Sequence, residues 1–159
     1  MSILPSPIEI FGTYDRGVPN QERIVLRVNE PLLLSPYFVF LGIKAPLNLD
    51  RVIPIPDQFL WLGETNVQVP GWVFIYTGSG QPTISQESNT KDPIHCLYWN
   101  KTSVVFTSDE IVPALAQIGW VELGNKPNKS LADLNRPKPP GEINWAELLA
   151  YKAPPPPPK

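Results

Sequence analysis

Gly71-Trp72-Val73-Phe74-Ile75-Tyr76-Thr77, set between Pro70 and Gly78, carries large apolar side chains on both of its alternating faces. Trp72, Phe74 and Tyr76 fall on one side, Val73, Ile75 and Thr77 on the other. That pattern predicts a central strand with core on both sides. The rest of the chain is then read for what supplies the cover.

Upstream, Ile8 to Tyr14 is a short β-like run, followed by turn chemistry from Asp15 to Asn20. Glu22 to Glu30 alternates, with Ile24, Leu26 and Val28 facing a core and Arg23, Val25 and Arg27 facing water. Pro31 to Ile43 divides at Ser35-Pro36 into a lead-in and a strand from Tyr37 to Ile43. Ala45 to Pro56, with Pro46, Pro54 and Pro56, is expected to run irregularly along a sheet edge, ahead of a short apolar run from Phe59 to Gly63.

Downstream, Thr83 to Asp92 is polar and reads as an exposed excursion or long hairpin loop. Ile94 to Trp99 and Ser103 to Thr107, joined by Asn100-Lys101-Thr102, predict a hairpin. One helix is expected in the body: Thr107 or Ser108 caps it, Asp109 and Glu110 fill its first turn, Ile111, Leu115 and Ile118 form its stripe, and Gly119 ends it. Pro113 is the blemish in that helix, because it removes a backbone donor.

Proline is the compositional outlier, 21 of 159 residues, and at that density it favours short strands and turns over helices. It also marks the domain organisation. Residues 1–123 read as a β-rich body, 124–141 as a Pro/Lys/Asn-rich linker, 142–152 as a short amphipathic helix and 153–159 as a polyproline tail. In the arm, Asn144 and Glu147 have capping-box spacing, and Trp145, Leu148 and Leu149 share a helical face.

The net charge of −2 is unevenly spread: residues 1–123 carry seven Lys and Arg against twelve Asp and Glu, and residues 124–159 six against three. An acidic body lacks the basic stripe that nucleic acid requires. No stretch is long and apolar enough to span a membrane, and the N-terminus shows no basic segment followed by an apolar run. The expected setting is cytoplasmic, or release without a classical signal. A single cysteine, Cys96, allows no intrachain disulfide.

For chemistry, His95 and Cys96 are the one nucleophile-and-base pair of ordinary type. As neighbours in a strand they point to opposite faces, so they predict no dyad, and one His with one Cys cannot complete a zinc tetrad. The sequence therefore predicts no catalytic residues, no metal site and no cofactor. The aromatic residues are assigned mostly to core, with Trp99, beside the Asn100 turn, as the candidate for an exposed ligand-binding ring.

The arm carries the sharpest functional signal. A helix of about ten residues is marginal in water alone, so Trp145, Leu148 and Leu149 must pack on something. The expectation is a mainly β protein, a small barrel or two-layer sandwich of seven or eight short strands with one packed helix and a C-terminal helical arm. Its expected role is non-catalytic assembly or adaptor work, the arm docking on a protein partner or sister subunit within a larger particle such as a virion, a tail or a secretion machine. The alternatives are a β module binding a sugar or peptide through exposed aromatics and, third, a hydrolase with an unrecognised carboxylate pair.

Overall fold

The computed structural model describes residues 6–47, 51–68 and 70–123. Ten strands run in chain order: β1 Ile8–Tyr14, β2 Arg23–Val28, β3 Leu32–Leu33, β4 Tyr37–Lys44, β5 Val52–Trp61, β6 Asn66–Val67, β7 Gly71–Tyr76, β8 Thr83–Gln86, β9 Pro93–Tyr98 and β10 Ile111–Gln117. They form a five-stranded sheet ordered β1-β2-β7-β9-β8, a three-stranded sheet ordered β10-β4-β5, and the small pair β3-β6. The fold is mainly β, in three sheets of which none closes. By packing, the chain divides after Val121 into two units. The linker, the 142–152 arm and the polyproline tail lie outside the described residues.

β7 is the centre of the larger sheet, antiparallel to β2 and parallel to β9. Val73 and Ile75 are fully buried and meet Ile24, Leu26 and Val28 of β2 on the same side. The smaller sheet adds Tyr37, Val39 and Leu41 to the same core cluster, which Leu34, Leu62, Trp99 and Phe106 complete. Each buried aliphatic side chain of this kind contributes roughly 1.5–3 kcal/mol.

Cover on the second side of β7 differs from expectation. Trp72, Phe74 and Tyr76 are half-buried, and what lies on them is arginine: Arg27 sits 4.5 Å over the Trp72 ring, and Arg23 within 5.6–5.9 Å of Tyr14, Phe74 and Tyr76. Arg23 pairs with Asp15, and Arg27 with Asp92 at 3.1 Å. The predicted solvated arginines therefore lie flat on an aromatic floor, their stems shielding the rings.

Four element expectations are corrected. Thr83 to Asp92 is exposed at its start but is not loop throughout, since β8 pairs antiparallel with β9 from Thr83↔Cys96 to Gln86↔Pro93. The stretch from Thr107 to Gly119 is not a helix: β10 pairs residue for residue with β4 from Ile111↔Ile43 to Gln117↔Tyr37. Ile111 and Leu115 suit an inward strand face as well as a helical stripe, and Pro113 is at home on an edge strand but not in a helix interior. The Ile94–Thr107 hairpin does not form, because β9 takes β7 and β8 as partners. Ala45 to Pro56 is not irregular throughout, since β5 begins at Val52 and carries Pro54 and Pro56 on the open edge of its sheet. No helix among the described residues is long and apolar enough to cross a membrane.

Candidate functional site

The outer face of the three-stranded sheet is built by simple alternation. Tyr37, Val39 and Leu41 point inward, so Phe38 and Phe40 point out, and the register sets Trp61 and Ala116 beside Phe38, and Phe59 and Ala114 beside Phe40. The rings associate: Phe40 stacks on Phe59 at 5.6 Å, and Phe38 lies 6.0 Å from Phe59 and 6.1 Å from Phe40. Trp61 donates its indole N–H to the Ser35 carbonyl at 2.8 Å, which fixes the ring in place. Phe59 is 50% and Trp61 55% exposed, and the positions that the register pairs with Phe38, Phe40 and Gly42 across this face, namely Trp61, Phe59, Pro54, Ala116, Ala114 and Val112, carry no charge. A continuous aromatic surface of this kind marks an interaction site more often than a solvated wall.

The five-stranded sheet presents a different outer surface. Phe11 meets Trp72 edge to face at 5.1 Å, and with Tyr14, Val25, Phe74, Arg23 and Glu87 they line a cup of about 180 Å³. Val25 forms its buried floor. Within the cup wall the Arg23 Nε is buried without a hydrogen-bond partner. Glu87 at the rim caps its own turn, accepting the Thr90 N–H, the Thr90 hydroxyl and the Asn89 N–H; those bonds, the Thr90 ones first, hold its carboxyl below the ordinary carboxylate range.

A third feature lies at the segment Asn100–Phe106, and Glu22 positions it. The Glu22 carboxylate is fully buried and accepts four bonds: Gly17 N–H at 2.7 Å, the Thr77 hydroxyl at 2.8 Å, Val105 N–H at 2.9 Å and Phe106 N–H at 3.2 Å. Burial pulls its pKa upward, but the bonds from Val105, Gly17, Thr77 and Phe106 together outweigh it and leave the group below its ordinary value. One side chain thus ties the β1–β2 turn, the end of β7 and the strandless 103–107 stretch together. Arg16 adds a second tie, donating to the Ser108 and Ile111 carbonyls while lying 4.6 Å over Phe106.

The sequence-predicted residues fall as follows. Trp99, expected to be exposed, is 8% exposed and joins the core cluster, with Lys101 Nζ 5.2 Å from its ring. The Trp99 backbone N–H donates to the Tyr76 carbonyl at 2.8 Å, which holds the chain there alongside β7. The open rings among the described residues are Trp120, Phe11, Trp61, Phe59 and Tyr14 instead. Trp145, Leu148 and Leu149 lie outside the described residues. His95 and Cys96 are both buried and face opposite sides of β9, His95 beside Val73 and Cys96 beside Phe74. Burial lowers the His95 pKa and favours the neutral ring.

No family model, no curated protein and no solved structure matches the chain. Among the described residues no three His, Cys, Asp or Glu side chains come together as metal ligands do. Among the described residues, neither the cup beside Trp72 nor the two clefts that flank residues 101–104 bring two carboxylates together.

The aromatic face was missed for a definite reason. Phe38, Phe40, Phe59 and Trp61 alternate with aliphatics, which is also the pattern of a strand buried on both sides.

Proposed function

We propose that the protein is a non-catalytic assembly component, in which the 142–152 arm of one copy docks on the aromatic face of a sister copy. The observation that carries this reading is the uncharged surface of Phe38, Phe40, Phe59 and Trp61. A face without charge offers no complement to a charged partner and suits an apolar segment such as Trp145, Leu148 and Leu149. Reach supports it as well. The 22 residue-to-residue steps from Leu123 to Trp145 span up to about 70 Å when extended, enough to cross to a neighbour. The test is the solution mass of the intact chain against a Trp145→Ser, Leu148→Ser, Leu149→Ser variant across a concentration series. The intact chain is expected to assemble and the variant to stay monomeric; equal masses at every concentration overturn the docking.

A second reading, a sugar-binding module, is favoured by the cup on the other sheet. An edge-to-face ring pair lining the cup is a group on which a pyranose can stack, and the Arg23 guanidinium in its wall is a donor suited to sugar hydroxyls. It predicts a tryptophan fluorescence change with methyl glycosides that Trp72→Ala abolishes.

A further inference from the structure

β4 and β5 fall out of register between Phe40↔Phe59 and Gly42↔Pro54, so four residues, Ile55 to Gln58, stand opposite Leu41 alone. Asp57, within this bulge, holds a left-handed backbone with φ 61°. Non-glycine residues rarely adopt that conformation, and wide bulges of this kind re-aim side chains beside sites. Here the bulge forms one wall of a cleft of about 390 Å³ whose opposite wall is the 101–107 segment anchored by Glu22.

The lining divides by chemistry. Leu41, Ile55 and Ile111 give an apolar floor, and the Thr102, Ser103 and Thr107 hydroxyls a polar rim. Among the described residues none of the three hydroxyls has a side-chain hydrogen bond. Lys101 is the sole charged residue in the lining, and its ammonium reaches one protein acceptor, the Asp57 carbonyl, at the long distance of 3.5 Å. The Gln58 side-chain oxygen is buried without a partner. A buried acceptor left unmatched costs about 1–3 kcal/mol, and with no bond to break the Gln58 side chain, which lines the cleft, can turn its oxygen toward a donor bound there.

We infer that this cleft binds an apolar amino-acid carboxylate: the carboxylate on Lys101 and the rim hydroxyls, the amide N–H on the Gln58 oxygen, and the side chain on Leu41, Ile55 and Ile111. The same chemistry occurs in a free N-acyl amino acid and in the C-terminal residue of a peptide. The inference is independent of the assembly reading, because the cleft opens at the bulge and the aromatic face lies on the outer side of the sheet.

The experiment is an amide-resolved NMR titration of the intact protein with N-acetyl-leucine, with N-acetyl-leucine amide, and with short peptides ending in leucine, free or amidated. Shifts are expected at residues 55–58 and 101–107. The amide-capped probes bind at least tenfold more weakly, and so does N-acetyl-leucine to Lys101→Gln, since a charge-assisted bond is lost in each case. Lys101→Arg retains binding, which separates charge from a structural effect. Tighter binding of the free peptide than of N-acetyl-leucine names a peptide terminus as the source; the reverse order names the small molecule. Absence of shifts at these residues in the unmodified protein, or equal binding of acid and amide, overturns the inference.

Discussion

Glu22 is the residue on which the body depends most. Its four bonds hold together segments with no ladder in common, so Glu22→Gln leaves N–H donors facing an amide that can no longer accept from all of them. The expected cost is about 2–3 kcal/mol, read as a lower urea midpoint with an unchanged slope. The same group sets a pH dependence. Its folded pKa lies below the ordinary 4.5, so its contribution is full above that value and is lost as pH falls through the folded one. His95 acts in a higher window: its folded pKa lies below 6.5, so the unfolded chain takes up the proton first and stability declines as pH drops below 6.5. Melting temperature should therefore fall in two stages between pH 7 and pH 3, the upper stage disappearing in His95→Leu and the lower in Glu22→Gln. A flat profile contradicts both assignments. Glu22 was partly legible in the sequence, since it shares the parity of Ile24, Leu26 and Val28; an acidic residue in step with a core face must find donors. Which donors was not legible, because Val105 and Phe106 lie more than eighty positions away.

At the level of strands, local reading succeeded where alternation was strict and bounded. β1, β2, β4 and β7 stand close to where Ile8–Tyr14, Glu22–Glu30, Tyr37–Ile43 and Gly71–Thr77 placed them. It failed where two partners competed or two periods agreed. β9 had a neighbour in sequence at Ser103–Thr107 but pairs with β7 and β8, and the Ile111/Leu115 spacing served helix and strand equally until β4 offered a seven-pair ladder. The β4–β5 bulge was invisible for the same reason, since register is a property of the pair. It depends on Gly42, where a Cβ would stand 2.7 Å from the Ile53 carbonyl oxygen. Gly42→Ala should cost about 1–3 kcal/mol and displace the amide resonances of β5 more than those of β10, as the clash lies on the β5 side. Equal disturbance of both strands would argue against this placement of the bulge.

Across the molecule as a whole, one observation organises the functional account: the core is closed on the inner faces of both sheets, while the outer face of the smaller one is left aromatic and uncharged. A sequence read alone distributes aromatic residues to the core by default, and here that default hides an exposed aromatic face, because face assignment needs the partner strand. The most direct test is light scattering, across a concentration series, of the intact chain beside a Phe59→Ser, Trp61→Ser variant. Both side chains are half exposed or more, so their loss leaves the core and the fold intact, which circular dichroism verifies. The expected result is a folded variant that remains monomeric at concentrations where the intact chain assembles. An intact chain that stays monomeric throughout, or a variant that assembles as readily, would contradict it.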